Sequence, residues 1–510
     1  MKRSHIIRTL ALGVGALLVA AAAVPVTPAS AAGGGGRHYF VDCAQGSDAG
    51  PGTAGRPWRT LARVNTTQLK PGDAVRLRAG TTCTGTLAPR GSGTPRRPIT
   101  LGAYGVGSAP HIDGGGARAA VFLHNVQGWE LRDLRISNAG PPPTAGQQRV
   151  GLYVLLEDFG IGRHYKVSRV SVHDVNGCDC RFPGPSGGIV FEAGGASVPT
   201  GFDGISVRDN AVSTVDRIGI GTFSSWQRRD IHPEGPGTSF VPITGVTMER
   251  NRLTDIGGDG VAILNGVGAR VRHNVIDGYN TRSLDYNVGM YAWNSDRTLF
   301  EYNEVAGGRG VGMAFALEGA NDGTVYQYNL TRDNGGGFLY ACNSDGSTSR
   351  NGVVRYNISQ NDVGGSNFFG IFTLLCDPQP NTVVHNNTFY APTSERIVNN
   401  AGTTAVRFVN NVFVGRPAGS VIRDPHGDYA HNLYQNVPAP PGDTAAVTGA
   451  PMLAAPGTAS SLATTDGYLL LAGSPALGAG TAVPGVRRDF FGNPVPADGA
   501  NIGAYQGPGR

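Results

Sequence analysis

The stretch FEYN (residues 300–303) recurs in altered form as YQYN (326–329) and VRYN (354–357). In each copy a short β-prone run ends in Asn. Five further copies end at Asn210, Asn251, Asn274, Asn387 and Asn411. Neighbouring copies are 23 to 41 residues apart. A repeat of this length made of β-type segments predicts a solenoid, and the missing Leu framework excludes a leucine-rich repeat.

We predict an all-β fold, a right-handed parallel β-helix in which each coil supplies two or three short strands. Equivalent strands of successive coils would stack about 4.8 Å apart. Asn suits the bends because it tolerates left-handed backbone angles and can bond its own backbone. Stacked Asn side chains can also bond each other in a ladder. The repeated Asn is therefore predicted to be structural rather than catalytic.

The composition agrees with a turn-rich β protein. Among 510 residues there are 78 Gly and 33 Pro, and only 15% of the chain is charged. A coiled coil or helical bundle is excluded, since these are rich in Ala, Glu, Lys, Leu and Arg. Aromatic residues spread along the chain argue against a disordered protein.

The N-terminus has the pattern of a signal peptide over residues 1–31. Basic residues precede an apolar run (9–24), which is short for a membrane span, and the small residues ASA follow at 29–31. The formal net charge is +5. Cleavage would remove three of 42 basic residues and leave 39 against 37 acidic ones. We therefore expect a secreted, monomeric protein with neither nucleic acid nor a membrane as its partner.

Six cysteines suit an oxidising compartment. We predict the disulfides Cys43–Cys83 and Cys342–Cys376. For the close pair in CDC (178–180) a disulfide and a zinc site are both open, although no further Cys or His motif accompanies it.

Motifs at both ends carry a family resemblance. YFVD, PWRTL and KPGD within residues 38–83, and RDFFGNPVP and NIGAYQ near the C-terminus, resemble secreted bacterial β-helix proteins of the pectate lyase-like superfamily. The resemblance implies one domain over 32–510, with a cap and first coils at 38–117, main coils at 118–435, and a C-terminal loop and closing segment at 436–510. That superfamily contains lyases, glycoside hydrolases, epimerases and phage tailspikes, so the resemblance implies carbohydrate-directed function more than one reaction.

Substrate should bind outside the packed coils, and strand alternation predicts which side chains face outward. We aligned five coils on Gly260, Gly289, Gly312, Gly337 and Gly370. On the second coil this alignment places Tyr291 and Trp293 outward, and on the third it places Ala314, Ala316 and Glu318 outward. On the fourth it places Tyr340 inward and Leu339, Ala341 and Asn343 outward. On the fifth it places Thr373 inward.

Outward aromatic side chains beside a carboxylate are typical of a sugar-binding groove, because aromatic faces stack on pyranose rings. The alternative is that these aromatics lie beneath a covering loop. The predicted substrate-binding residues are Trp293, Tyr291, Asn343, Asp333 and Arg309.

Carboxylates gather on the same coils and predict a glycoside hydrolase. Glu318, Asp259 and Asp285 are the catalytic candidates. Carboxylates one or two coils apart would be about 5 or 10 Å apart, which brackets the separations in retaining and inverting glycosidases. One acid would protonate the leaving oxygen, and the other would attack or activate water. Turn capping is the alternative for each Asp.

A second resemblance concerns the strand MAFALEG. The SSW at 224–226, IGGDG and TRDNGGGF are similar to motifs of a group of secreted bacterial β-helix proteins that act on carbohydrate. Many of those carry two outward acids two residues apart on this strand, as in FDID. Here Ala316 occupies the first position and Glu318 the second. Asp259 or Asp285 would then supply the second acid, or the chemistry differs, or activity is lost.

Two other functions stay open. A polysaccharide lyase needs a base and a cation beside a uronate; the candidate bases are Arg309, Arg332, His273 and Tyr291. Beyond the predicted signal peptide the chain has only two lysines, neither near the acids, which favours hydrolysis. Ca²⁺ on clustered Asp residues would suit a lyase. A hydrolase would need no cofactor or metal. A non-catalytic glycan-binding protein is the third possibility.

Overall fold

The protein was analysed as a computed structural model. It describes residues 35–181, 184–283, 286–343, 346–364 and 368–510. Gly36–Arg510 form one compact unit. The predicted signal peptide (1–31) lies outside the described residues. Among the described residues, no helix is long and apolar enough to cross a membrane.

Short strands make up most of the regular structure. The first are β1 His38–Val41, β2 Ala74–Arg78, β3 Thr82–Thr84, β4 Ile99–Tyr104, β5 His111–Asp113, β6 Ala119–His124, β7 Trp129–Asn138, β8 Val150–Glu157, β9 Ile161–Val175, β10 Gly187–Gly194, β11 Gly201–Arg208, β12 Ala211–Val215 and β13 Ile218–Ser224. The next are β14 Ile243–Glu249, β15 Arg252–Ile256, β16 Val261–Leu264, β17 Gly266–Val267, β18 Arg270–Arg272, β19 Val275–Tyr279, β20 Val288–Trp293, β21 Leu299–Glu301, β22 Glu304–Gly308, β23 Met313–Glu318, β24 Val325–Gln327 and β25 Leu330–Arg332. The last are β26 Leu339–Cys342, β27 Val353–Arg355, β28 Ile358–Gln360, β29 Phe372–Leu374, β30 Val383–His385, β31 Thr388–Tyr390, β32 Arg396–Asn400, β33 Arg407–Val409, β34 Val412–Val414, β35 Val421–Arg423, β36 Asp428–Ala430, β37 Leu433–Gln435 and β38 Val447–Thr448. The helices are α1 Leu61–Asn65 and a 3₁₀ helix, Leu462–Tyr468.

The strands stack in parallel along one axis, which confirms the predicted parallel β-helix. One sheet, here called sheet A, has the strand order β6-β8-β10-β13-β16-β20-β23-β26-β29-β32-β35. In the central coils the other strands form two further rows. β21 pairs with β24, and β22 pairs with β25. A central coil such as β20, β21 and β22 thus contributes one strand to each of three faces.

The repeated Asn residues form the predicted ladder. From Asn210 to Asn432, each side-chain amide Nδ2 donates to Oδ1 of the next rung at 2.9–3.0 Å. The rungs are Asn210, Asn251, Asn274, Asn303, Asn329, Asn357, Asn387, Asn411 and Asn432. The last amide donates to Oδ2 of Asp443 at 3.0 Å. The ladder side chains are buried, so these bonds satisfy polar groups that water does not reach.

The expectation that Asn occurs at these bends because it tolerates left-handed backbone angles was wrong. The left-handed residue is the one before the ladder Asn: Tyr302, Tyr328 and Tyr356 have φ of 53°, 57° and 50°. The left-handed conformation is unfavourable for residues of this size. In it, the tyrosine rings of neighbouring coils stack, and the ring centroids of Tyr302 and Tyr328 are 5.0 Å apart. Asn is therefore required for its amide rather than for its backbone freedom.

The coil register differs from the prediction beyond the second coil. Val261 pairs with Met290, as the glycine alignment predicts. Met290, however, pairs with Phe315, which lies two residues beyond the partner that the alignment predicts. A shift of two keeps each side chain on its face, so Glu318 stays outward. Ala314 at the strand start is an exception, because it joins the core.

On the fourth and fifth coils the shift is odd, and the predicted faces are inverted. Phe315 pairs with Leu339, and Tyr340 pairs with Thr373. Leu339 and Ala341 therefore lie in the core, whereas Tyr340 packs on the outer face. The prediction was wrong here because Gly312 and Gly337 do not occupy equivalent positions, and a shift of one residue exchanges the two faces.

Both predicted disulfides are confirmed, Cys43–Cys83 and Cys342–Cys376. The open pair is also bonded, Cys178 to Cys180. The C-terminal segment packs along the outside of the coils, where Tyr468, Leu470 and Ile502 cover Leu330, Val412 and their neighbours.

Candidate active site

The outer face of sheet A brings together the aromatic and acidic side chains that alternation predicts. Tyr291 pairs with Ala316, which pairs with Tyr340. Ala292 pairs with Leu317, so the next residues, Trp293 and Glu318, follow on adjacent strands. Adjacent strands are about 4.8 Å apart, which places the indole beside the carboxyl group. The small Ala316 between the two tyrosines is fully buried among them and their neighbours.

A cavity of about 530 Å³ opens over this face. Its volume lies in the range of about 300–1,000 Å³ that is typical of small-ligand sites. Tyr286, Tyr291 and Trp293 supply aromatic surface. The charged and imidazole side chains in its lining are Arg181, Arg217, His232, Glu234 and Glu318. The cavity therefore combines stacking surface with hydrogen-bonding groups of both signs.

Trp293 is held against the backbone of the next coil. A Cβ atom at Gly319 would lie 2.5 Å from the indole Cδ2, and Gly319 has a φ of +66°. Glycine is needed there both for the contact and for the left-handed conformation. The His232 ring also contacts the indole, in an edge-to-face arrangement with the ring centroids 6.2 Å apart.

The loop 225–242 forms one wall of the cavity. Arg229 donates from Nε to Oδ1 of Asn294 at 2.7 Å and from Nη1 to Oδ1 of Asp296 at 2.8 Å. The Thr348 amide donates to the Ile231 carbonyl at 2.9 Å. The loop is thus attached to the coil of β20 and to a segment after β26, and it carries His232 and Glu234 to the cavity.

A buried ion pair lies at the base of the site. Arg217 donates from Nη2 to Oδ2 of Asp259 at 2.6 Å, and it also bonds Asn287. Oδ1 of Asp259 accepts the Val288 amide at 2.7 Å. Both side chains of the pair are almost fully buried, at 2% and 4% exposure. Asp259 therefore stabilises strand β20 and its neighbour, and both of its oxygens have partners.

The electrostatic environment keeps Glu318 partly protonated near neutral pH. Burial, and then the negative charge of Asp259, raise the pKa of Glu318 to about 7, while Arg181 acts in the opposite direction. Burial and Asp259 also raise the pKa of Tyr291 well above its ordinary value. A carboxyl group of this kind can give a proton to a bound ligand.

The predicted site residues fall into four groups. Tyr291, Trp293 and Glu318 line the cavity, and Asp259 lies behind it. Asp285 lies outside the described residues. The remaining three, Asn343, Asp333 and Arg309, are placed elsewhere in the described structure.

Asn343 is buried, and its Oδ1 accepts the Ser349 amide at 2.8 Å. Asp333 occupies a left-handed bend with φ of 57°, and Nδ2 of Asn361 donates to it at 3.3 Å. Arg309 is exposed, and its carbonyl accepts Nδ2 of Asn280. None of these three residues is in the lining of the cavity.

Sequence reasoning missed the cavity residues that lie outside the regular strands. Arg181, Glu234 and Tyr286 follow no repeat, so neither period nor register places them. The only available signal was the length of the segment between β13 and β14, since long loops in compact domains are often functional.

Among the described residues, no group of three or more His, Cys, Asp and Glu side chains could hold a metal ion.

Comparisons with known proteins point to carbohydrate-active β-helix proteins. Residues 201–368 match the family model described as "Right handed beta helix region". The chain is 26% identical to a lacto-N-biosidase of Bifidobacterium longum subsp. longum over 90% of its own length. It spans about a third of that relative, 36% of its length.

Solved structures agree with the fold. A GH136 lacto-N-biosidase from Eubacterium ramulus superposes with a TM-score of 0.60 at 23% identity, over 72% of this chain and 66% of that chain. The structure of XylC with xylose gives 0.53 at 11% identity, over 92% and 98%. This chain is thus a right-handed parallel β-helix, and it is similar in sequence to a lacto-N-biosidase.

Proposed function

We propose that the protein is a glycoside hydrolase that acts on an oligosaccharide or polysaccharide, with Glu318 as its general acid. The observation that carries this proposal is the position of Glu318, a carboxyl group with a pKa of about 7, beside the indole of Trp293 in a cavity. At neutral pH about half of such groups hold a proton, which the leaving glycosidic oxygen needs.

The aromatic lining supports a sugar ligand. Tyr286, Tyr291 and Trp293 give flat apolar surface, and the polar side chains between them can bond hydroxyl groups. The similarity to a lacto-N-biosidase, a glycoside hydrolase, supports the same reaction class.

A lyase receives less support from the cavity. Of the candidate bases, Arg309, Arg332 and His273 are not in the cavity lining. Tyr291 is in it, but its raised pKa opposes the ionised form that a base must take. We also propose that the protein is exported through residues 1–31 and acts as a monomer without a cofactor.

The test is a screen of the purified protein against plant, microbial and animal glycans, with mass analysis of the products. We expect saturated products with new reducing ends. Products with an unsaturated uronate would instead identify a lyase. Retention of glycans without cleavage would identify a binding protein.

Glu318→Gln should lower kcat on the natural glycan by about 10²–10⁴-fold, because the amide cannot give a proton. The loss should be much smaller on an aryl glycoside with a good leaving group, which needs little protonation. Glu395→Gln, an exposed carboxyl elsewhere on the coils, serves as the matched control and should leave both rates unchanged. Wild-type turnover of the glycan by Glu318→Gln would refute the assignment.

A further inference from the structure

Glycosidic cleavage of the usual kind needs a second carboxylate, and of the two residues predicted for that role only Asp259 lies among the described residues. Both oxygens of Asp259 are engaged, one by Arg217 and one by the Val288 amide, and the side chain is 4% exposed. Asp285 lies outside the described residues.

Glu234 is the other carboxylate among the described residues of the cavity lining. It is exposed, so it can meet a ligand without being desolvated beforehand. It lies on the loop 225–242, whereas Glu318 lies on strand β23. A ligand in the cavity would therefore have one carboxyl group from sheet A and one from the loop.

The loop is fixed well enough to position a reacting group. Arg229, five residues before Glu234, bonds Asn294 and Asp296. Its guanidinium also lies over the Phe240 ring, 4.4 Å from the centroid, and so connects the two ends of the loop.

Closer to Glu234, the Gly235 amide donates to the His232 carbonyl at 3.1 Å. The His232 ring in turn meets Trp293. Glu234 is thus connected, through the nearby His232, to Trp293 on β20, the strand that pairs with β23.

The size of the cavity suits a catalytic pair. A sphere of 530 Å³ is about 10 Å across, and the carboxyl groups of glycosidases are about 5 Å apart in retaining and about 6.5–9.5 Å apart in inverting enzymes. A cavity of this size has room for a sugar ring between two carboxyl groups at either separation.

We infer that Glu234 is the second catalytic carboxylate. This inference rests on the proposed hydrolase function. Glu318 gives its proton to the glycosidic oxygen as the bond from that oxygen to the anomeric carbon breaks. Ionised Glu234 either attacks the anomeric carbon, forming an ester that water later hydrolyses, or takes a proton from the water that attacks. In both routes the water oxygen ends on the anomeric carbon as a hydroxyl group that keeps one of its two protons. In the first route ionised Glu318 takes the other proton and Glu234 leaves the ester as a carboxylate. In the second route Glu234 takes that proton and passes it through solvent to Glu318, so that Glu318 is again protonated and Glu234 again ionised.

The test compares Glu234→Gln with Asp230→Asn, which removes an exposed carboxylate from the same loop outside the cavity lining. We expect Glu234→Gln to lower kcat by about 10²–10⁴-fold with little change in KM, and Asp230→Asn to stay within about twofold of the wild type. Melting curves of all three proteins check that the fold is kept.

A second measurement separates chemistry from loop structure. With Glu234→Ala and an activated aryl glycoside, added azide should restore turnover and yield a glycosyl azide, since the anion occupies the vacated space. In both routes the azide attacks from the face opposite the leaving group, so the glycosyl azide should have the inverted configuration; the anomer that the wild type releases, retained or inverted, distinguishes the two routes. A purely structural role for Glu234 would give no azide product.

The outcomes bear on different claims. If the wild type cleaves a glycan and Glu234→Gln turns it over at nearly the same rate, the inference is wrong and the hydrolase function stands. If the wild type releases no reducing ends from any glycan, the hydrolase function fails and the inference fails with it.

Discussion

Two carboxyl groups on nearby coils, Asp259 and Glu318, have contrasting environments. Asp259 has a buried arginine and a backbone amide as partners, whereas Glu318 is desolvated and has the charge of Asp259 nearby. The sequence predicted Glu318 as one acid, with Asp259 or Asp285 as the other. We propose instead that the charge of Asp259 helps to keep a proton on Glu318.

This arrangement predicts how Asp259→Asn changes the pH dependence. Glu318 acts in its protonated form, so kcat/KM should fall as the pH rises through about 7 in the wild type. Loss of the Asp259 charge removes one cause of the raised pKa, and it leaves Arg217 unneutralised. The pKa of Glu318 should therefore fall, and the alkaline limb of the profile should move to lower pH.

The measurement is kcat/KM against pH for the wild type, Asp259→Asn and Asp255→Asn. Asp255 pairs with Arg282 outside the cavity lining and serves as the control, whose profile should not move. If Asp259 were instead the second catalytic acid, its amide variant would lose activity at every pH without a shift of the limb.

At the scale of the element, the Asn ladder explains how strands of only three residues keep their positions in the stacked coils. Strands such as β24 and β27 offer few backbone bonds each. At Asn329, Oδ1 accepts the backbone amide and the side-chain amide of Asn303, and Nδ2 donates to Asn357 and to the Phe300 carbonyl. One side chain therefore satisfies groups on three coils.

Asn329→Ala should lower the free energy of unfolding by about 2–5 kcal/mol, because buried donors and acceptors lose their partners. Asn381→Gly removes an amide from an exposed bend with φ of 60° and should change stability little. Chemical denaturation of both variants checks the difference. Equal effects would show that the ladder bonds contribute nothing beyond an ordinary turn.

At the scale of the whole molecule, the repeat predicted the fold because the period of the Asn residues is the length of a coil. It placed Tyr291, Trp293 and Glu318 on one face, since a register error of two residues does not change the face. The same alignment failed at Tyr340, because there the register error is one residue, which moves the side chain to the opposite face.

Glu234 and Arg181 could not be predicted in this way. They lie on connections between strands, and the conformation of such connections depends on contacts with other coils, such as those of Arg229. Hydrophobic alternation and period carry no information on these contacts. The strand half of the candidate site was therefore predictable, and the loop half was not.

The N-terminus supports a prediction about the whole chain. Expressed at full length in a bacterium with a general secretion pathway, the protein should be exported and should begin at Ala32. Ala31→Phe should block cleavage, because signal peptidase requires a small residue there. Mass spectrometry of the exported protein tests this, and an unprocessed chain that stays in the cytoplasm would contradict it.

The Asn ladder also gives the molecule an electrical direction. Each ladder amide donates one of its N–H bonds to the next, later coil and, from the second rung on, accepts at Oδ1 from the coil before, so the amide dipoles add along the axis as peptide dipoles do in an α-helix. The positive end of this array meets the carboxyl group of Asp443, which accepts from Asn432 and also from Tyr434. If a coil were added after Asn432, its own side-chain amide would need an acidic residue as the final acceptor. A coil added before Asn210 would need only a side-chain amide that donates to Asn210.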